Sequence, residues 1–509
     1  MNPVPVLSAA EAALWDRNAR TLARIPSRVL METAGRAVAA VALKEFPDAA
    51  QRGVLVVVGA GNNGGDGWVL ARTLHAAGVP VWVTGLDPKT EDGVDNRALA
   101  RLDGVREIAE GEPWPAAALL VDAVLGTGAS GPARGDVLAL TQKMAAYGAP
   151  ILAVDGPTGL DLSSGDAHGP CRAQVTVTFG GPRRGHLLAR DWCGRIVVVD
   201  IGFPPADPAW PVLVTDHWAG ARLPPLQARM HKGDRGRVTV VGGAAGMSGA
   251  ALHAARAALA AGAGLVKLIA GPETVAAVRA SLPDVLTVES KLAGGLEPAA
   301  AEAVEWADAL VIGPGLGREP TRRGVLLAAL GLRAIPTVVD ADALTLWEGT
   351  AAGSRLTVFT PHLGEFRAAL GDQLADEAAN DRWSAAERAA QQLSGTVLLK
   401  GVPTVIAGVR GPVHVVASGN PGLATGGSGD LLAGFIGAFL ARGLPPVDAA
   451  ALGAHALGRA AEQGARDWTA RSLRPADVLA SLPAVWRQWH DAGPGVPPVL
   501  LTLDAPETA

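Results

Sequence analysis

The sequence alternates short, uninterrupted apolar runs with Gly- or Asp-rich loops and Ala-rich segments, and this alternation limits the fold more than any other feature. "GVLVVVGAG" leads into "GDGWVLARTLHAAG", and "PILAVDGPTG", "AQVTVTFGG" and "GRIVVVDIG" continue the series. Apolar runs of this length, each followed by a loop and a helical segment, predict parallel strands that are buried on both faces. The chain is therefore predicted to be α/β, with ligands at the carboxyl ends of its strands.

Length and composition fit more than one such domain. The chain has 509 residues, of which 49% are hydrophobic, and this is enough for two or three separate cores. The net charge of -5 gives no reason to expect nucleic acid or an anionic membrane as a partner. The two cysteines form neither a disulfide framework nor a zinc pattern, and no apolar run reaches membrane-spanning length. A cytoplasmic protein that acts on small molecules is expected, as a homo-oligomer.

The alternation breaks in "DHWAGARLPPLQARMHKGDRG" at 216–236, which lacks periodicity and contains a Pro pair. A second parallel α/β series follows, and it shows no convincing register with the first. We therefore predict two different domains, 1–219 and 220–495, followed by a poorly ordered tail over 496–509. The compact basic segment "GPRRGH" at 181–186 is predicted to be a solvated loop.

The loop after the first of these strands, "VVVGAGNNGGDGWVLAR" at 56–72, contains G-x-G-x-x-G. Its plain interpretation is a redox dinucleotide site, with Asp87 after the next strand placed to hold a ribose. Between and after the glycines, however, stand Asn62, Asn63 and Asp66, and a pyrophosphate cradle tolerates a carboxylate there poorly. Taken alone, the loop leaves cofactor binding and a different chemistry equally open.

Two further strand ends carry oxygen-bearing side chains. "VDAVLGTGASGP" places Asp122 at the end of a strand, and "VDGPTGLDLSSG" does the same with Asp155 and Thr158. A parallel sheet would bring Asp122 and Thr158 close to Asn63, and these hard oxygen ligands suit a monovalent or divalent cation better than zinc. The alternative, that each Asp only caps the loop or helix after it, stays open for any one of them.

Together, "GAGNNGGDG", "VDAVLGTG", "VDGPTGLD" and the upstream "METAGRAVA" resemble the N-terminal domain of the YjeF family, the NAD(P)H-hydrate epimerases, over roughly residues 8–215. The resemblance implies that the dinucleotide is the substrate: NADH or NADPH with water added at C6 of the nicotinamide ring. It implies a potassium ion held by Asn63, Asp122 and Thr158. It also implies that the hydrated nucleotide is bound by Asn62, Asn63, Gly64, Gly65, Asp66, Gly126, Thr127, Gly128, Ala129, Ser130, Gly131, Pro132 and Asp155.

Epimerisation at C6 needs a proton donor and a proton acceptor. C6 bears both a hydroxyl and the ring nitrogen, so it can lose and regain the C–O bond or open the ring. We expect Asp155, at a strand end beside the predicted cation, to transfer the proton. The chain departs slightly from the family pattern, since Gly156 and Thr158 stand where an aliphatic residue and Ser are more frequent, and Thr keeps the hydroxyl.

In the second series, "NPGLATGGSGDLLAGFIGAFLARG" at 420–443 places small residues and an Asp before an apolar helix. The N–H groups of Gly427, Ser428 and Gly429 would form an anion hole at the helix N-terminus. Asp430 could then take a proton from a hydroxyl as phosphate arrives, or it could only stabilise the helix dipole. The sequence contains no G-x-x-x-x-G-K-[ST] motif, and this argues against an enzyme of the P-loop class. The arrangement resembles ribokinase-like kinases.

"HKGDRGRVTVVGG", "GPGLG", "TPHLGE" and "LLKGVPTVI" extend this likeness to the NAD(P)H-hydrate dehydratases over about 220–490. The resemblance implies a Rossmann-like parallel α/β domain followed by a ribokinase-like α/β domain. It implies that the hydrated nucleotide contacts Ala250, Gly317, His362 and Asp430. It implies that the adenine nucleotide is held by Lys400, Gly401, Val402, Pro403, Thr404 and Gly429.

The implied chemistry turns hydroxide, a poor leaving group, into phosphate, a good one. Asp430 would assist phosphorylation of the C6 hydroxyl, and the ring nitrogen would then expel phosphate. The fused arrangement resembles bacterial members, which implies ADP with Mg²⁺ as the phosphoryl donor, and ATP stays open. The substrates would be NADHX or NADPHX and an adenine nucleotide.

Three other interpretations remain. One is a small-molecule kinase of the ribokinase-like class, acting for example on a vitamin alcohol, fused to a dinucleotide-binding domain. Another treats the N-terminal domain as a binding or scaffold module, which would have no need of Asn63, Asp122, Asp155 and Thr158 together. The third, an NAD-dependent dehydrogenase, is weakened by the polar loop and by the lack of an obvious second redox site.

Overall fold

The computed structural model describes residues 3–109, 111–347, 354–493 and 495–506, and within them the chain forms two compact α/β units. The first unit ends at Pro211 and also takes in the C-terminal segment up to Pro506, and the second runs from Val212 to Gly493. Both units are dominated by parallel strands, which confirms the predicted fold class. No helix among the described residues is both long and apolar enough to span a bilayer.

The strands, in chain order, are β1 (Val54–Val58), β2 (Val81–Gly85), β3 (Arg106–Glu107), β4 (Leu119–Ala123), β5 (Ile151–Val154), β6 (Val175–Phe179), β7 (Arg195–Val199), β8 (Val212–Leu213), β9 (Arg237–Val241), β10 (Leu265–Ala270), β11 (Leu286–Glu289), β12 (Ala309–Ile312), β13 (Thr337–Val339), β14 (Thr357–Phe359), β15 (Thr396–Leu399), β16 (Thr404–Ala407), β17 (His414–Val416) and β18 (Val499–Leu503).

The helices are α1 (Ala9–Thr21), α2 (Ser27–Glu45), α3 (Pro47–Gln51), α4 (Asn62–Ala76), α5 (Glu91–Leu102), α6 (Gly135–Ala145), α7 (Arg184–Leu188), α8 (Arg190–Cys193), α9 (Asp216–Gly220), α10 (Ser248–Ala260), α11 (Pro272–Ser281), α12 (Pro298–Glu305), α13 (Arg322–Leu332), α14 (Asp342–Thr345), α15 (Leu363–Leu370), α16 (Asp372–Asn380), α17 (Arg382–Leu393), α18 (Ser428–Ala441), α19 (Pro446–Ser472) and α20 (Pro475–Asp491).

The first unit is built on an eight-stranded sheet with the order β18-β7-β6-β5-β4-β1-β2-β3. Every neighbouring pair is parallel except β18 with β7. The strands β1, β4, β5 and β6 are buried along their full length, as expected for strands covered on both faces. Because β5, β4 and β1 are neighbours, the polar loops that follow them leave the sheet side by side.

The second unit is built on a ten-stranded sheet with the order β11-β10-β9-β12-β13-β14-β15-β16-β17-β8. The strands from β11 to β15 are parallel, and β16 is antiparallel to both of its neighbours. Helix α18 packs so closely on α10 that a Cβ on Gly434 would lie 2.2 Å from the carbonyl oxygen of Ala254. Residues Leu431 to Leu440 of α18 are all buried, and this burial fixes the start of the helix.

The boundary between the two units and the C-terminal segment differ from the sequence-based prediction. The second unit begins at Val212 and not at 220, because β8 pairs with β17 and the N–H of Val212 donates to the carbonyl oxygen of Val413 at 2.8 Å. The segment 496–509, predicted to be a poorly ordered tail, contains β18, in which Leu503 is in register with Ile196 of β7. This pairing makes the C-terminal segment part of the first sheet.

Two glycines of the G-x-G-x-x-G pattern are required by close backbone packing. A Cβ on Gly59 would lie 1.9 Å from the carbonyl oxygen of Val124, and one on Gly64 would lie 1.9 Å from that of Gly59. The turn between β1 and α4 therefore touches the loop after β4 at a distance that only glycine allows. Backbone packing therefore explains these two glycines without a pyrophosphate.

Candidate functional site

A cavity of about 570 Å³ lies in the first unit where the loops after β1, β4 and β5 meet. Apolar side chains of α2, among them Leu30 and Met31, form part of its wall. The predicted site residues that line it are Asn62, Asn63, Asp66, Gly126, Thr127, Gly128, Ala129 and Asp155. An adjoining cavity of about 460 Å³ is lined by Gly128, Ala129, Ser130, Gly131 and Pro132. The two remaining predicted residues, Gly64 and Gly65, are buried near the start of α4.

Asp155 follows β5 directly and adopts a left-handed backbone conformation, with φ at 63°, which is unusual for a residue with a side chain. Its Oδ2 accepts hydrogen bonds from the N–H of Thr127, at 2.7 Å, and from the hydroxyl of the same residue. Its Oδ1 accepts the Thr178 hydroxyl at 3.2 Å and lies 3.4 Å from the Arg183 guanidinium. Burial alone would raise the pKa of Asp155, but the Arg183 charge and the Thr127 hydrogen bonds outweigh it and lower the pKa.

The basic segment 181–186, predicted to be a solvated loop, is in fact partly buried in this site. Arg183 is 5% exposed and donates to the carbonyl oxygen of Gly181 at 2.6 Å and to the Thr127 hydroxyl at 3.0 Å. The Nδ1 of His186 accepts the Arg183 N–H at 3.0 Å, and burial lowers the pKa of this imidazole to about 4. The prediction was wrong because the partners of Arg183 lie on distant loops that converge only in the fold.

Asp66 lines the same cavity as Asp155, but its surroundings act on its proton in the opposite direction. Burial raises the pKa of Asp66 well above its usual value, and the negative charges of Asp155 and Asp16 raise it further. The cavity therefore contains two carboxyl groups whose pKa values are shifted in opposite directions. A pair of this kind suits transfer of a proton to and from a hydroxyl group.

The structure brings Asp122 and Thr158 into direct contact. The Oδ1 of Asp122 accepts the Thr158 hydroxyl at 2.7 Å, and its Oδ2 accepts the Thr158 N–H at the same distance. The hydroxyl oxygen of Thr158 accepts the N–H of Leu125 at 3.0 Å. Both Asp122 and Thr158 are buried, and Thr158 thus joins the loop after β5 to the end of β4 and, through Leu125, to the loop that follows it.

Asn63, the third predicted cation ligand, lies beside Asp155. A Cβ on Gly126 would lie 3.2 Å from the Oδ1 of Asn63 and 2.8 Å from the Oδ2 of Asp155. The side-chain nitrogen of Asn63 is buried and has no hydrogen-bond partner among the described residues. The oxygen and nitrogen of an Asn side chain are assigned from their hydrogen-bond partners. Rotating the Asn63 amide by half a turn would therefore place its oxygen where the unpartnered nitrogen now lies. The oxygen chemistry of the three predicted ligands thus fits a hard cation.

Asp87, placed to hold a ribose under the dehydrogenase interpretation, is a surface residue. Its side chain is 85% exposed and lies 2.6 Å from the guanidinium of Arg97. The carboxylate is therefore already engaged in a solvated ion pair.

The second site lies at the N-terminus of α18. Gly427 caps the helix in a left-handed conformation, with φ at 99°, and a Cβ there would lie 2.8 Å from the ring of Pro475. The Ser428 hydroxyl donates to the carbonyl oxygen of Leu423 at 2.8 Å and tightens the loop. The first N–H groups of a helix lack intrahelical acceptors, so this turn could bind an anion, and the anion hole stays a prediction. Burial raises the pKa of Asp430, in the same turn, to about 7.

A buried ion pair adjoins this turn. The Nζ of Lys400 donates to the Oδ1 of Asp340 at 3.0 Å and lies 3.4 Å from the Oε2 of Glu365. The Thr360 hydroxyl donates to the same oxygen of Asp340 at 2.7 Å. A Cβ on Gly429 would lie 3.5 Å from the Lys400 Nζ, which places the ammonium beside the first turn of α18. Burial would lower the pKa of Lys400, but the two carboxylates outweigh it and raise the pKa.

The other predicted residues of this site occupy loops and helix starts. His362 caps α15, with its Nδ1 accepting the N–H of Gly364 at 3.0 Å, and its side chain is 60% exposed. The N–H of Gly317 donates to the Oδ2 of Asp342 at 3.0 Å. Ala250 lies in the first turn of α10. The turn between β15 and β16 contains Lys400, Gly401, Val402 and Pro403, and Thr404 is the first residue of β16.

The sequence patterns did not indicate three charged residues of the two sites, namely Arg183, Asp340 and Glu365. Asp340 ends the strand run of "IPTVVDADAL", and Glu365 closes "TPHLGE". The criterion that indicates Asp122, an Asp at the end of an apolar run, also applies to Asp340. Arg183 had no comparable signal, since a lone Arg in a basic segment is normally solvated.

The chain thus has two α/β units with one candidate site in each: a cavity lined by two carboxyl groups in the first, and a helix N-terminus beside the Lys400–Asp340 ion pair in the second. Residues 27–185 match the family model described as YjeF-related protein N-terminus, and residues 238–484 match the one described as NAD(P)H-hydrate dehydratase.

Similar proteins cover nearly the whole chain. Bifunctional NAD(P)H-hydrate repair enzymes of Moorella thermoacetica and Pyrobaculum aerophilum are 37% and 38% identical to it. The alignments cover 96% and 95% of this chain and 97% and 98% of theirs. A solved ribokinase-like superfamily protein from Enterococcus faecalis V583 covers 55% of the chain and 96% of its own length, with 26% identity and a TM-score of 0.50. The chain belongs to the family of bifunctional NAD(P)H-hydrate repair enzymes, which combine an epimerase with a dehydratase.

Proposed function

We propose that the cavity of the first unit interconverts the R and S forms of hydrated NADH and NADPH, and that the α18 site returns the S form to NADH or NADPH. The observation that supports this most directly is the pairing of two sites in one chain. One site has two carboxyl groups whose pKa values are shifted in opposite directions, and the other has the half-buried Asp430 and Lys400 at a helix N-terminus. Hydration produces both epimers, whereas a dehydratase pocket has one handedness, so the epimerase makes both repairable.

In the epimerase, Asp155 is the proposed proton-transfer group. A protonated hydroxyl leaves C6 as water while the ring nitrogen lone pair forms a C=N bond, and water then adds to either face and releases a proton. Asp155, whose pKa is lowered beside Arg183, is the proposed acceptor, and Asp66, whose pKa is raised by burial and by neighbouring negative charges, is the proposed donor. The ionised carboxylate also stabilises the positive charge that develops on the ring.

A potassium ion is proposed to bind Asn63, Asp122 and Thr158. Its support is the oxygen chemistry of the three residues and the unpartnered buried amide nitrogen of Asn63. When bound, the ion would supply a fixed positive charge at the strand ends. The residues themselves have a positioning role, because Asp122 holds Thr158 by two hydrogen bonds and so fixes the loop that follows Asp155.

In the dehydratase, Asp430 takes the proton of the C6 hydroxyl as that oxygen bonds to the terminal phosphorus of the nucleotide. The bond between this phosphorus and its bridging oxygen breaks, and Lys400 with the N–H groups of α18 stabilises the charge on the phosphoryl oxygens. The ring nitrogen lone pair then expels phosphate, and loss of a proton from C5 restores the double bond. The nucleotide is expected as its Mg²⁺ complex, in which phosphate oxygens and water hold the ion.

The test uses separately purified R and S hydrates, each supplied with ADP and with ATP. The S form should regain the near-ultraviolet absorption of dihydronicotinamide at once, with one nucleotide consumed per molecule. The R form should recover only as fast as it is epimerised. Family resemblance favours ADP, and the ATP arm decides between the donors. If neither nucleotide restores absorbance from the S form, the proposal is wrong and the vitamin-kinase interpretation gains support.

A further inference from the structure

Asp340, which follows β13, is a buried charge without a role in the chemistry described so far. It is 2% exposed, and its N–H donates to the carbonyl oxygen of Ile312 at 3.1 Å. Both of its side-chain hydrogen bonds, from Thr360 and from Lys400, go to the same oxygen, Oδ1. A buried carboxylate is costly unless its partners and position serve a purpose.

The second carboxylate oxygen of Asp340 points toward the phosphate site. A Cβ on Gly429 would lie 4.0 Å from this Oδ2 and 3.5 Å from the Lys400 Nζ. The carboxylate and the ammonium therefore both adjoin the residue that directly precedes Asp430.

Four charged groups act on Asp430 from the surrounding elements. Asp340, Asp342 and Glu365 make its ionisation less favourable, and Lys400 makes it more favourable. Asp340 is the largest of the three negative contributions, and only burial has a greater effect. Asp342 is also engaged by Arg318 at 2.8 Å, and Glu365 accepts the N–H of His362 at 2.9 Å.

We propose that Asp340 is a positioning residue of the dehydration reaction, which fixes Lys400 beside the first turn of α18 and makes Asp430 a stronger proton acceptor. The inference rests on the proposed function of this site. An ordinary aspartate is a weak base toward an alcohol, and a general base works best when its proton affinity matches the pH at which the enzyme operates. A buried like charge supplies that increase.

Asp340→Asn separates charge from shape. The single oxygen that accepts from Thr360 and Lys400 survives in asparagine, so both hydrogen bonds are retained and only the negative charge is lost. The variant should shift the acidic limb of the kcat/KM profile for S-form dehydration to lower pH by about one unit. Its kcat at the plateau should fall about three- to tenfold, because the base is weaker.

The matched control is Asp372→Asn, which removes a negative charge from a side chain that is 81% exposed in the same unit and should leave the profile unchanged. Glu365→Gln is the second variant. Its retained oxygen can still accept from His362 and Lys400, so it should shift the limb in the same direction by a smaller amount. A nucleotide-dependent rise in melting temperature shows that Asp340→Asn is folded. If this rise is missing, Glu365→Gln provides the test instead.

The outcomes separate the inference from the function beneath it. Equal loss of activity at every pH, with the acidic limb unmoved in both variants, would mean that Asp340 only supports the fold. Native enzyme that fails to dehydrate the S form at any pH would overturn the proposed function instead.

Discussion

The guanidinium of Arg183 lies 3.4 Å from the carboxylate of Asp155, and both side chains are at most 10% exposed. The pair joins a residue after β5 to one after β6, at the wall of the epimerase cavity. A buried cation at this distance explains why Asp155 stays ionised although burial opposes its charge. Arg183 thereby sets the protonation state of the group proposed to transfer the proton.

Arg183→Met should raise the pKa of Asp155, because burial then acts on the carboxylate without a compensating charge. The acidic limb of R-to-S epimerisation should move to higher pH by about one unit or more. The measurement is the rate of R-form consumption from about pH 3 to pH 9 with excess dehydratase activity, a range that includes the ordinary pKa of an aspartate. Arg195→Met, which removes an arginine that is 42% exposed in the same unit, is the control. An unmoved limb in Arg183→Met would show that the ion pair does not govern Asp155.

Asp155→Asn should slow epimerisation by at least about a hundredfold, since it removes the proton acceptor. Dehydration of purified S form should stay at the native rate, because the second unit has its own core and its own site. Both rates are read from the same absorbance assay with either epimer as substrate. Unchanged exchange between R and S would remove Asp155 from the mechanism.

Exchanging potassium for tetramethylammonium, a cation too large for a site of close oxygen ligands, should lower epimerisation about tenfold and leave S-form dehydration unchanged. Thr158→Val removes one proposed ligand, and its low residual epimerisation should no longer respond to the cation. Ionic strength is held constant throughout. Equal effects of the exchange on both reactions would argue against a specific site in the first unit.

Asp430→Asn should stabilise the second unit in neutral and alkaline solution but not in acid. An aspartate in the unfolded chain has a pKa of about 4, whereas the pKa of Asp430 in the folded protein is about 7. Between these values only the unfolded state is ionised, so native stability falls by about 1.4 kcal/mol per pH unit as pH rises. Below this window both states are protonated, and above it the penalty is constant.

The melting temperature of Asp430→Asn should therefore exceed that of the native protein by an amount that grows from about pH 4 to pH 7 and then levels off. Calorimetry measures this difference in melting temperature. The transition of the second unit is the one that bound ADP shifts to higher temperature. A difference that is independent of pH would show that Asp430 titrates normally.

Local sequence predicted the parts of the sites that are built from contiguous segments. Asp122 lies near the end of an apolar strand, Asp155 directly follows one, and Asp430 lies in the first turn of an apolar helix. Neighbouring parallel strands bring strand ends together. The cavity residues of the loop after β4 were found for the same reason, because the small residues of that loop stand next to Asp122.

What sequence could not predict depends on contacts between distant segments. Arg183 donates to Thr127, which lies 56 residues earlier in the sequence, and Lys400 donates to Asp340, which lies 60 residues earlier. Strand β18 pairs with β7, although the residues of the second unit separate the two strands in the sequence. Its short apolar run near the C-terminus therefore resembles a tail when only the sequence is considered. In each case the pairing depends on how the chain folds, and no local pattern shows which two residues will meet.

The central claim is that Asp430 converts the C6 hydroxyl into a departing phosphate, and phosphate release measured against NADH formed from purified S form tests it most directly. The native enzyme should release one inorganic phosphate per NADH. Asp430→Asn should lose both products by at least about a hundredfold while still binding ADP. NADH formed without phosphate, or full activity in Asp430→Asn, would contradict the mechanism.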